Sequence, residues 1–85
     1  MTHALKTVNP FYKSIVDGSK RFELRKDDRP FKVNDDILLQ EYDNGAYTGN
    51  EERFIISYIL RDVPQFGLKN GYCIIGLKKE NSDEY

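Results

Sequence analysis

The spacing of apolar residues switches between two periods along the chain, and each switch marks an element. Residues 2–8 alternate as a half-buried strand does, with Leu5 and Val8 expected to face inward. Asn9-Pro10 then predicts a helix start, because an asparagine cap accepts an orphan amide and a proline at the first helical position has none to lose. Phe11, Tyr12, Ile15 and Val16 fall on one helical face, and Gly18 stands where a left-handed C-terminal residue belongs. The helix is expected over residues 10–17.

After Gly18 the period becomes two, which predicts a strand over residues 20–26. Phe22 and Leu24 alternate there with Glu23 and Arg25, so the apolar pair is expected in the core and the charged pair outside. Asp27-Asp28-Arg29-Pro30 breaks the strand, and Ile37 to Tyr42 forms the next one. Residues 43–50 are rich in types that tolerate positive φ and read as a hairpin loop. Residues 53–60 are nearly continuously apolar, as in a central strand packed on both faces. A loop over 64–70 leads to a last strand over 72–77, and residues 80–85 form an acidic tail expected to fray. One helix followed by several strands predicts an α+β, mostly β architecture. It is a small, mostly antiparallel, closed or partly open barrel of about five strands, with its helix closing one end.

The length of 85 residues fits one domain, expected over residues 1–79, and six Tyr with five Phe supply core volume that a disordered chain lacks. A single cysteine, Cys73, excludes an intramolecular disulfide and a thiolate zinc cluster, and its apolar neighbours Tyr72, Ile74 and Ile75 mark it as a buried, inert thiol. There is no secretory h-region and no apolar run of membrane length, so a soluble cytoplasmic protein without membrane contact is expected. The net charge of −1 is unevenly spread: residues 1–32 hold eight Lys/Arg against four Asp/Glu, residues 33–85 five against ten. The overall acidity argues against nonspecific DNA binding while leaving room for a local basic face.

Chemistry concentrates in Gly18-Ser19-Lys20-Arg21-Phe22-Glu23-Leu24-Arg25. One reading is a solvated strand face whose charges pair across neighbouring strands for a few tenths of a kcal/mol. The other is a ligand site: Lys20 at a mouth between helix end and barrel rim, Glu23 to accept from a base edge, Arg25 to grip phosphate or position Glu23. Tyr42 and Tyr72 are candidates for stacking on bases.

The spacing G-x-K-x-x-E-x-R resembles the signature of the ASCH group in the PUA-like superfamily, small barrels mostly regarded as RNA-binding. The chain is similar, across about residues 2–78, to a bacterial and phage family of unknown function in that group. The likeness rests on His3 with Leu5-Lys6, Phe11, the Gly18-to-Arg25 motif, Lys26-Asp27-Asp28-Arg29 before Phe31, Leu39 to Asp43, Tyr47-Thr48-Gly49, and Gly67-Leu68 before Gly71-Tyr72. The family's V-G-D is Val33-Asn34-Asp35 here, and asparagine tolerates the same left-handed turn. The resemblance implies a PUA-like barrel and makes Lys20, Glu23 and Arg25 the leading ligand-binding residues, with Arg29 and His3 lining the same region. It implies a noncatalytic RNA- or nucleotide-binding module without a cofactor. An alternative comes from small ASCH amidohydrolases acting on acylated cytidines, which share the lysine that aligns with Lys20 and carry threonine where this chain has Glu23. A protein-interaction accessory role is a third option, using exposed Phe and Tyr.

Other devices are missing. His3 is the one histidine, read as a hydrogen-bonding surface residue, and no H-x-x-x-H pair offers a metal site. Neither glycine-rich phosphate-loop motif occurs. Asp27-Asp28 and Asp35-Asp36 read as solvated turn formers rather than cation ligands.

Overall fold

Alternation becomes architecture through the inward-facing residues of five strands. In the computed structural model, which describes residues 1–79, they are β1 (Thr2–Val8), β2 (Phe22–Lys26), β3 (Asp36–Asp43), β4 (Ala46–Leu60) and β5 (Tyr72–Lys78). The acidic tail expected at residues 80–85 lies outside the described residues. Helix α1 (Phe11–Val16) follows β1, and a 3₁₀ turn covers Pro64–Phe66. The strands form one sheet in the order β1-β3-β4-β5-β2, with β1 and β3 parallel and the other pairs antiparallel. The result is a partly open barrel: β1 and β2 are its two edges, and no ladder joins them.

The core consists of Leu5, Ile15, Phe31, Ile37, Leu39, Phe54, Ile56, Cys73, Ile75 and Leu77, supplied by every strand except β2. Cys73 is fully buried and free, as its apolar neighbours predict, and burial raises its thiol pKa. On β1 the inward residues are His3, Leu5 and Thr7. Val8 faces out, because a period of two cannot place Leu5 and Val8 on one side.

Helix α1 is one residue shorter at each end than its apolar pattern suggests. Tyr12 and Ile15 are buried while Phe11 and Val16 stay exposed, since six residues cannot cover a wide stripe. Its N-cap is Pro10, and Asn9 sits one residue earlier across a cis peptide bond. Asn9 still satisfies an orphan donor: its Oδ1 accepts the Lys13 amide at 3.1 Å. Gly18 closes the helix at φ +88, as expected, and Asn34 holds φ +80 before β3.

The loop expected over 43–50 is instead a tight turn, Asn44-Gly45, both residues at positive φ, with β4 starting at Ala46. β4 is the central strand, yet it alternates rather than burying both faces: Phe54 and Ile56 point inward and Tyr58 outward. A bulge between Ile56 and Tyr58 resets the phase, so Ile59 also packs on the core.

Candidate functional site

The site begins with the turn after α1. The Gly18 amide donates to the Ile15 carbonyl, the Ser19 amide to Asp17 Oδ1 at 2.8 Å, and the Lys20 amide to the Ser14 carbonyl at 3.0 Å. These bonds fold the chain back along the helix and launch β2 beside β5. There Glu23 lies opposite Ile75 and Arg25 opposite Cys73, two residues committed to the interior. Partners directly opposite share a face, so register turns Glu23 and Arg25 inward. Glu23 is 4% exposed, whereas Phe22 and Leu24 are 46% and 56% exposed. This is the reverse of the facing expected from hydrophobicity. It is tolerable because β2 is an edge strand whose inward side meets the open seam, and because Glu23 brings its own counter-ions.

Both oxygens of Glu23 are engaged. Lys20 Nζ donates to Oε1 at 2.6 Å and Arg25 Nη1 to Oε2 at 3.2 Å. Lys20 Nζ also donates to the Phe22 carbonyl and stands 4.8 Å from the Phe22 ring centre and 5.8 Å from that of Phe11. Arg25 Nη1 reaches across the seam to the Lys6 carbonyl at 2.9 Å. One guanidinium thus bridges the two sheet edges. A buried carboxylate without such partners would be costly, and here two cations hold it and leave a local excess of positive charge.

The seam opens as two adjoining hollows that share Leu24 and Arg25. One, of about 410 Å³, is lined by Lys6, Thr7, Val8, Phe11, Lys20, Phe22 and Glu23 as well. The other, of about 290 Å³, adds Leu5, Lys26, Asp28, Arg29 and Phe31. Five Lys/Arg face two carboxylates over the pair, and the first hollow adds the exposed apolar surfaces of Val8, Phe11, Phe22 and Leu24. Phe11, Phe22 and Lys6 had no mark in sequence as site residues; a charged triplet with cations three residues before and two after one glutamate is the signal that a carboxylate there is buried.

The other expected residues disperse. Arg29 is exposed in the second hollow and makes no ion pair among the described residues. His3 lines neither hollow; far from being a surface residue it is buried, with Nε2 2.9 Å from Asp35 Oδ2 and its ring against Phe31. That hydrogen bond, with the Lys32 amide, holds the Asp35 carboxyl below its usual pKa. Tyr42 lies on the outer face of β3, donates to the Gly45 carbonyl and stacks under Lys6 Nζ at 4.5 Å. Tyr72 sits at the start of β5 opposite Lys26, outside both hollows. The loop acids are not simply solvated: Asp27 pairs with Arg61 through two hydrogen bonds, Asp35 with His3, and Asp36 with Arg53. Among the described residues no group of three His, Cys, Asp or Glu side chains converges as metal ligands, and no helix is long and apolar enough to cross a membrane.

A second buried carboxylate was not legible in sequence. Glu41 on β3 accepts from Asn9 Nδ2 at 2.6 Å, Thr48 Oγ1 at 2.7 Å and Asn50 Nδ2 at 3.0 Å. These bonds, Asn9 foremost, lower its pKa to about 2.

The chain is 33% identical over 49 residues to the "Uncharacterized 12.9 kDa protein in GpA 3'region" of Escherichia phage P2. That match covers 58% of this chain and 45% of the phage protein, so the likeness spans less than half of the relative's length. The sequence pattern of one family matches residues 2–77, nearly everything the fold is built from. On that match the chain belongs to the family described as domain of unknown function DUF3850.

Proposed function

We propose that this chain is a noncatalytic module that binds RNA or a nucleotide in the seam between β1 and β2. The observation that carries the reading is the convergence of Lys20, Glu23 and Arg25 in a half-open cleft walled by Phe11 and Phe22. A nucleotide needs this mixture: cations for phosphate, an acceptor for base amino groups, and a flat apolar wall for the ring. Arg25, Lys26 and Arg29 in the smaller hollow supply the phosphate end, and Phe11 with Phe22 the stacking end. The resemblance to ASCH and PUA-like barrels supports the same reading.

The test is fluorescence anisotropy with a labelled, sequence-diverse pool of short RNAs at low salt. Binding should weaken linearly on a log-log salt scale, and Lys20→Ala or Arg25→Ala should reduce it. Phe22→Ser, at an exposed position, should weaken it by about 1–3 kcal/mol if a base stacks there. Absence of binding at low salt, to the RNA pool and to mononucleotides alike, rejects the proposal.

One observation favours a second reading. Lys20 and Glu23 touch at 2.6 Å within the cleft, which sets a proton-shuttling carboxylate beside the amine at the position where the amidohydrolases of acylated cytidines carry a threonine. Both groups are held in mutual hydrogen bonds, which speaks for a structural role. Incubation with N4-acetylcytidine and chromatography for cytidine decides it: release of cytidine that Lys20→Met abolishes supports hydrolysis, and unchanged substrate removes it.

A further inference from the structure

The pairing that buries Glu23 turns the other side of β2 outward, where it joins the outer side of two more strands. Phe22 lies opposite Gly76, which lies opposite Tyr58, and Leu24 lies opposite Ile74, which lies opposite Leu60. Tyr72 follows on the same side of β5, opposite Lys26. Residues directly opposite one another share a face, so three strands carry one continuous surface of Phe22, Leu24, Tyr58, Leu60, Tyr72 and Ile74. Phe22, Leu24 and Tyr58 are 46%, 56% and 64% exposed, and Gly76 leaves the floor between Phe22 and Tyr58 without a side chain. The helix packs against β1 and β3 instead.

Exposed apolar surface alone does not name a ligand, but the charge around it does. Among the described residues, the outward positions of β2, of β5 and of β4 beyond its bulge include Lys26 and Lys78 and no carboxylate. Lys69 Nζ stands 5.7 Å from the Tyr72 ring centre, as Lys20 Nζ stands 4.8 Å from that of Phe22. Two of the three rings therefore have an ammonium beside them. The fitting partner is a polyanion with flat rings: bases lie on the aromatic side chains and phosphates reach the lysines. A second copy docked face to face would offer these lysines no opposite charge. Phe22 and Leu24 also wall the seam, so a strand with one nucleotide there can continue over the edge of β2 onto this surface.

We infer that the outer face of β2, β5 and β4 beyond its bulge binds single-stranded RNA, with bases on Phe22, Tyr58 and Tyr72 and phosphates toward Lys26, Lys69 and Lys78. The inference rests on the reading of the seam as a nucleotide site, and it narrows the ligand there to a strand of several nucleotides.

The test titrates the full chain with CMP and with a cytidylate octamer in a calorimeter at low salt. The octamer should bind more than about thirtyfold more tightly than CMP, the gain from two further stacked bases and more than the number of registers on the strand supplies. Tyr58→Ala, at an exposed position outside the seam, should weaken the octamer about five- to a hundredfold and leave CMP unchanged, and Tyr58→Phe should restore the affinity. Lys69→Gln should lower the slope of log affinity against log salt by about 0.7, one phosphate contact. CMP binding without a gain from length, or an octamer indifferent to Tyr58→Ala, overturns the inference and leaves the seam reading standing. Failure of CMP and octamer alike rejects both. Sedimentation velocity of the free protein supplies the remaining outcome: a dimer that Tyr58→Ala dissolves would make this face a contact between copies and overturn the inference.

Discussion

Glu23 and Glu41 show two ways of keeping a carboxylate inside a small barrel. Glu23 is held by two cations, Glu41 by two amides and a hydroxyl that carry no charge. The second device depends on ionisation, because a protonated carboxyl is a poorer acceptor. The folded-state pKa of Glu41 is depressed to about 2, so its contribution is fully present above the ordinary value of 4.5 and is lost as pH falls from there through 2. Urea unfolding at pH 7, 4 and 3 should therefore show stability falling with acid, with a smaller decrease in Glu41→Gln. Asp35 acts in the same direction through His3. Cys73 gives a simpler expectation. Buried and with its thiol pKa raised, it should stay unreactive toward a disulfide reagent in the native protein and react fully in urea.

At the scale of elements, register outweighs composition. The face that β2 buries is set by its pairing with β5, whose inward residues Cys73, Ile75 and Leu77 belong to the core. β4 and β5 meet with a comparable constraint at the bulge. A Cβ on Gly76 would lie 2.6 Å from Ser57 Oγ and 3.5 Å from the Tyr58 amide nitrogen. Gly76→Ala should cost about 1–3 kcal/mol in urea unfolding, as overpacking does. Adding Ser57→Ala, which removes the nearest atom, should recover part of that loss, whereas strictly additive effects would show that the clash lies in the backbone. Helix α1, at six residues, is too short to persist alone and depends on Tyr12 and Ile15 for its place.

For the whole molecule the open seam is the decisive feature. Two unpaired edges would invite pairing with other chains, and Arg25 spans them through the Lys6 carbonyl. Arg25→Met keeps the stem and removes the bridge. Amide exchange in β1 and β2 should then accelerate by more than about tenfold, because Arg25 gives up its bonds both to the Lys6 carbonyl and to Glu23, while β4 amides stay unchanged. Equal acceleration in all strands would mean global destabilisation instead. Charge is also divided at this scale. The basic first third of the chain converges on the seam, and carboxylates from α1, β3 and β4 gather around a separate hollow between the helix and the β3–β4 ribbon.

Periodicity by itself determined the element order, the single helix ending at Gly18, the central place of β4 and the buried thiol of Cys73. All of these follow from local spacing, from the positive φ that glycine permits and from the solvation of apolar side chains. The Gly18-to-Arg25 segment was legible as a cluster of chemistry but not in its orientation. Local alternation says that Glu23 and Leu24 face opposite ways, and only pairing with β5 says which of them is inside. The same holds for the Asn44-Gly45 turn, whose extension of β4 back to Ala46 required β3 alongside, and for Glu41, whose donors Asn9 and Asn50 are distant in sequence. Contacts between separated segments decide these points, since the free energy of a buried charge depends on partners that no local pattern contains.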